Sequence, residues 1–158
     1  MAFYRSSGGG ANSDSKLFVL SSISSNSQDS SSYTPTKAIE CVDSSRWSSK
    51  VNVLSYLEMT PSDGSVCANA VSTYIRNFTG SVDTPQTCTV KMQGYNGSTW
   101  VDIETISYLS TEIGVPVIKK FSNNTSYSKY RFNFQDYPYR NSSNNGYCGM
   151  VFIALLSI

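Results

Sequence analysis

Residues 87–107 leave the chain little choice of local structure. Cys88, Val90 and Met92 alternate with Thr89, Lys91 and Gln93, so an extended chain puts the first three on one face and the others on the opposite face. Tyr95-Asn-Gly-Ser98 follows, and Asn-Gly is the strongest short hairpin signal because both residues tolerate positive φ. Thr99 to Ser107 then runs back. A hairpin with one apolar face is not stable alone and must cover a second layer.

The rest of the chain follows the same pattern. Lys37–Val42, Val51–Met59, Val66–Ile75 and Val115–Phe121 read as short strands. Thr60-Pro-Ser-Asp-Gly64 is a strong turn signal after the second of them. Tyr130, Phe132 and Phe134 alternate with Arg131, Asn133 and Gln135. The apolar end, Met150 to Ile158, has nine residues, too few to cross a ~30 Å hydrocarbon core, and reads as a buried strand. No segment has a convincing helical period and no repeat is visible. The expected fold is all-β: an antiparallel β-sandwich or jelly roll of about eight strands.

Residues 1–33 differ. Gly8-Gly-Gly10 and the run Ser21 to Ser32 hold little that could be buried, so this stretch is expected to form a Ser/Gly-rich N-terminal arm before a sandwich domain at 34–158. One apolar cluster interrupts it, Leu17-Phe18-Val19-Leu20. Either it is a first strand of the chain's own sandwich, or it is a peg that docks on a partner by strand addition.

Composition excludes whole classes of function. Net charge is +1, with no basic stripe for nucleic acid and nothing to hold a strongly anionic membrane surface. There is no histidine, which removes the commonest general base and metal ligand and rules out Ser-His-Asp and Cys-His nucleophile systems. Asp102 and Glu104 lie two apart on one strand, whereas the carboxylates of a glycosidase straddle the scissile bond. No enzyme is expected. Cys41, Cys67, Cys88 and Cys148 form no CxxC pair; buried thiols and two disulfides are both open. The first ten residues hold no apolar leader. Five Asn-x-Ser/Thr sequons are close to chance in so Ser-rich a chain.

Two stretches together resemble a known family. Thr89-Val-Lys-Met-Gln-Gly-Tyr-Asn-Gly-Ser-Thr-Trp-Val-Asp-Ile103 is similar to the hairpin and Trp strand of the discoidin and coagulation-factor type C domains, which have a galactose-binding fold. Phe121-Ser-Asn-Asn-Thr-Ser-Tyr-Ser-Lys-Tyr-Arg-Phe-Asn-Phe134 resembles their Tyr-x-x-Tyr-Arg strand. The likeness is good over about 85–158 and loose over 36–84, where Val42-Asp-Ser-Ser-Arg-Trp-Ser-Ser49 resembles the family's Asp-loop-Arg-Trp segment. It implies that Trp100 is buried. It also implies ligand binding by loops at one end of the sandwich, to sugars, phospholipid head groups or proteins. Here the Asp loop is short and lacks its usual Gly, so the calcium site often found near it has no motif support, and no cofactor is implied.

Sugar sites need a flat aromatic face for the C–H side of a pyranose and planar polar groups for paired hydroxyls. Asp136, Tyr137, Tyr139, Arg140 and Asn141 offer both in one loop. Arg46 and Trp47 form a second candidate, and Asn77-Phe-Thr79 a third. In each case the alternative is structural: Tyr137 and Tyr139 cover the sandwich end, and Trp47 plugs the core. Such domains recur in bacteriophage tail and virion proteins. The expectation is a lectin-like virion module that binds cell-surface carbohydrate. It would act as a homo-oligomer, with its arm (Leu17–Leu20) anchored on other virion, tail or capsid proteins. The alternatives are a structural decoration protein and a cytoplasmic or secreted lectin.

Overall fold

The computed structural model describes residues 15–40, 46–76, 84–141 and 143–158. They form thirteen short strands: β1 (Lys16–Phe18), β2 (Leu20–Ser25), β3 (Trp47–Ser48), β4 (Tyr56–Pro61), β5 (Ala70–Ile75), β6 (Thr84–Pro85), β7 (Cys88–Tyr95), β8 (Trp100–Tyr108), β9 (Val117–Lys120), β10 (Lys129–Phe134), β11 (Tyr139–Arg140), β12 (Gly146–Tyr147) and β13 (Gly149–Ser157). One five-stranded sheet runs β1-β13-β5-β9, with β3 also on β13; the other runs β2-β4-β10-β7-β8. A small third sheet, β12-β11-β6, lies to one side. Every strand pairing is antiparallel. No described helix is long and apolar enough to cross a membrane.

The alternating strands supply the core. Leu57 and Met59 of β4, Val90 and Met92 of β7, and Tyr130, Phe132 and Phe134 of β10 face Val71 and Ile75 of β5 and Ile153 and Leu155 of β13, all buried. Buried hydroxyls are satisfied. Tyr130 donates to the Val66 carbonyl (2.6 Å) and accepts from the Ala68 amide (3.0 Å). Thr73 bonds the Tyr108 hydroxyl at 3.2 Å. Gly94 lets the Tyr127 ring lie on the backbone, since a Cβ there would sit 2.3 Å from ring carbons.

Several expectations change. The sandwich does not begin after residue 33. β1 pairs with β13 and β2 with β4, so the chain crosses from one sheet to the other at Val19. Phe18 is buried in the core and Leu20 packs against it, while Leu17 and Val19 are exposed. Residues 35–39 are a turn of 3₁₀ helix rather than a strand, because Pro35 presets a helical φ at its first position. Residues 51–55 are not strand either. Asn52 has φ 56°, and its amide and side chain bond Gly146 (both 2.8 Å), which bends the chain out of the sheet. Trp100 lies on the outer face. It follows the hairpin turn opposite Tyr95, and its indole covers the Arg131 guanidinium at 3.9 Å, with Tyr56 at 4.1 Å from the same group. Glu58 holds that guanidinium through Nε (3.2 Å) and Nη2 (3.1 Å).

Among the described cysteines, Cys67, Cys88 and Cys148 are free thiols. Burial pushes Cys88 and Cys148 up to about 12, so neither is a nucleophile at neutral pH. Cys41 lies outside the described residues.

Candidate functional site

Strand register gathers most of the long loops at one end. Cys88 starts β7 opposite Tyr108 at the end of β8, Phe134 ends β10 opposite Val90, and Met150 near the start of β13 pairs with Ile75 at the end of β5. The segments 26–34, 49–55, 109–116, 135–141 and 143–148 therefore share this end. The Asn96-Gly97 hairpin and Ile158 lie at the other.

The expected sugar loop is partly taken up by structure. Tyr139 belongs to β11, is only 2% exposed, and packs on Tyr147 with ring centres 5.9 Å apart. It has no face to offer a ligand. Asn141 is a turn residue: its Oδ1 accepts from the amides of Ser143 and Asn145, both at 3.0 Å. Tyr137, Asp136 and Arg140 remain. Tyr137 is half-buried, its ring against Gly146, where a Cβ would clash at 2.4 Å. The Arg140 guanidinium sits 5.0 Å from that ring and donates to the Asn144 carbonyl at 3.0 Å. Asp136 is exposed, and its Oδ2 accepts from both the amide and the hydroxyl of Thr89. With Leu54, Gln86 and Gln135 these three line an open depression of about 350 Å³. Its wall carries amides, a carboxylate, a guanidinium and one aromatic ring. That set can bond paired hydroxyls, and it offers less stacking surface than the sequence promised.

Trp47 is fully buried, not displayed. Its ring stacks on Phe134 (6.3 Å, 26°), and its Nε1 donates to the Ser27 carbonyl (2.9 Å) and Ser25 Oγ (3.2 Å). The polar neighbours that suggested a surface loop, Ser48 and Ser49, are themselves buried and bonded.

Arg46 points elsewhere, to a cluster the sequence did not reveal. Its guanidinium lies 5.1 Å from the centre of the Tyr33 ring and donates to the Tyr33 hydroxyl at 3.4 Å. Arg76, at the end of β5, lies 5.9 Å from the same ring centre. Burial, and then the Arg46 charge, pull Arg76 down to about 10, against the pull of Tyr33, Tyr139 and Asp29. Arg76 directly precedes the Asn77-Phe-Thr79 candidate, and its place at a strand end was the one available signal. Residues 77–79, and the Val42–Ser45 loop near which calcium was considered, lie outside the described residues.

Comparison with protein-family models finds no match, and neither does comparison with curated proteins. Solved structures do match. A family 32 carbohydrate-binding module (CBM32) from Clostridium perfringens NanJ, in complex with galactose, superposes with a TM-score of 0.69 at 9% identity, over 90% of this chain and 99% of that one. The architecture is that of the CBM32 β-sandwich. The CBM32 of AlyQ, in complex with 4,5-unsaturated mannuronic acid, gives 0.66 at 16% identity, over 89% and 97%. A truncated AlyQ with CBM32 and alginate lyase domains gives 0.69 at 15% identity; the chain covers 33% of its length. At these identities the likeness carries the galactose-binding-like fold and not the ligand.

Proposed function

We propose that the chain is a non-catalytic carbohydrate-binding module that engages sugar at the loop end of its sandwich. One observation carries this reading. On a fold shared along nearly its whole length with sugar-binding modules, the loops enclose a polar depression lined by Gln86, Gln135, Asp136, Tyr137 and Arg140. Planar amide, carboxylate and guanidinium groups around one ring are the chemistry that recognises vicinal hydroxyls. A site this open buries little ligand, so each contact is weak. Repetition in a homo-oligomer or on a particle raises effective affinity ~10²–10⁴-fold.

A glycan array probed with the full chain, displayed multivalently, tests the reading. Selective binding is expected, and it is expected to fall about tenfold or more in an Asp136→Ala/Arg140→Ala variant that melts like the parent. Equal binding by that variant would move the site away from the depression.

The finer reading is a virion module that recognises a host surface glycan. It is supported by the resemblance to domains that recur in phage tail proteins. Mass spectrometry of purified particles tests it: the chain is expected at stoichiometric level, and its absence from particles would end the virion reading. The decoration alternative, anchored by Leu17–Leu20, has less support. Phe18 and Leu20 are turned into the chain's own core, leaving only Leu17 and Val19 for a partner.

A further inference from the structure

We infer that the loop end carries a seat for an anionic group, formed by Arg46, Arg76 and Tyr33, and that the sugar it takes bears a carboxylate. This rests on the carbohydrate reading above and adds the chemical class of the ligand.

One cation at this end is short of partners. Arg46 is half-buried, and its Nε is fully enclosed with no hydrogen-bond partner. Among the described residues its one side-chain hydrogen bond is the long contact to Tyr33, a neutral acceptor. A buried guanidinium normally sits against a carboxylate, because desolvating a charge without a partner is costly. Lys16, Lys37, Lys91, Lys119, Lys129 and Arg131 each have a carboxylate partner. Arg46 has a second guanidinium nearby, that of Arg76, close to the same Tyr33 ring.

Burial and the nearby Arg46 charge both disfavour the Arg76 cation, against the pulls of Tyr33, Tyr139 and Asp29. Such an arrangement costs stability and persists where binding uses it. A planar carboxylate relieves both terms at once: it accepts from guanidinium N–H groups and screens the two cations from each other. The seat lies at the same end of the sandwich as the depression: Arg76 follows the end of β5, Arg46 precedes β3, and both strand ends pair with Met150 near the start of β13. A sugar bound at this end thus meets the two guanidinium groups with its acidic substituent.

The test titrates the full chain with oligomers of galacturonate, glucuronate and mannuronate, each as free acid and as methyl ester, beside neutral hexose oligomers. At least one free acid is expected to bind about tenfold or more tighter than its ester, with affinity falling as salt rises. Arg46→Gln and Arg76→Gln are each expected to abolish that difference, while Lys120→Gln on the exposed part of β9 keeps it. Arg46→Gln is also expected to melt no lower than the parent, since it removes an uncompensated charge. Equal binding of acid and ester, or binding of neutral sugars alone, would overturn the anionic seat and leave the carbohydrate reading standing. No binding to any sugar would overturn both.

Discussion

Deleting residues 1–33 is expected to leave a chain that does not melt cooperatively and is largely insoluble. A dispensable arm could be removed at no cost, but these residues close both sheets. The deletion takes away β1, the partner of β13, and β2, the partner of β4. Phe18 and Ile23 leave the core, at about 1.5–3 kcal/mol each. The buried Trp47 Nε1 loses both acceptors, Ser25 Oγ and the Ser27 carbonyl, for about 1–3 kcal/mol more. The Tyr56 amide loses Asn26 Oδ1, and the Lys50 amide loses Ser27 Oγ. These losses are comparable with the roughly 5–15 kcal/mol that holds a domain folded. Two strand edges would also be bared to pairing with other chains. Circular dichroism with thermal melting decides the matter. A soluble 34–158 fragment with the parent's melting temperature would show that β1 and β2 are appendages.

Trp47→Ala is expected to cost about 3–5 kcal/mol, read as a lower denaturant midpoint with an unchanged slope. The indole fills the space beside Phe134 at the loop end of the core. Removing it opens a cavity and leaves the Ser27 carbonyl without its donor. A displayed binding residue would behave in the opposite way, with stability unchanged and ligand binding lost. The one variant therefore separates burial from display. A midpoint within error of the parent's would put Trp47 back among the ligand candidates.

What could be read from the sequence depended on how local the cause was. The β7–β8 hairpin was legible because alternation and the Asn-Gly turn act within a few residues. The alternation of β10 was legible for the same reason. β1 was legible only as one of two readings of Leu17–Leu20, and β2 beyond Leu20 was not legible, because their partners are β13 and β4 and four of the six residues of β2 are serine. A Ser-rich strand can sit at a sheet edge with only Phe18 and Ile23 turned inward, and composition averages that signal away. Trp47 and Tyr139 each had two readings, display and burial, and burial holds. Polar neighbours suggested exposure, but serine backbones are buried beside Trp47 and a short third sheet encloses Tyr139. Trp100 shows the converse: the resemblance implied burial, while its register opposite Tyr95 turns it outward over Arg131. Arg46 was singled out, yet its setting could not be foreseen. Arg76 and Tyr33 come to it from opposite sides in sequence and meet only through the fold.

The central claim is that sugar binds at the loop end. Chemical-shift mapping of the ¹⁵N-labelled full chain, titrated with the best oligosaccharide from the array, tests it most directly. The account predicts that shifts concentrate at Gln86, Gln135, Asp136, Tyr137 and Arg140, with Tyr33, Arg46 and Arg76 joining when the sugar is acidic, and that residues 95–99 of the hairpin stay still. Shifts confined to the hairpin end or to the outer face around Tyr56, Trp100 and Arg131 would contradict it.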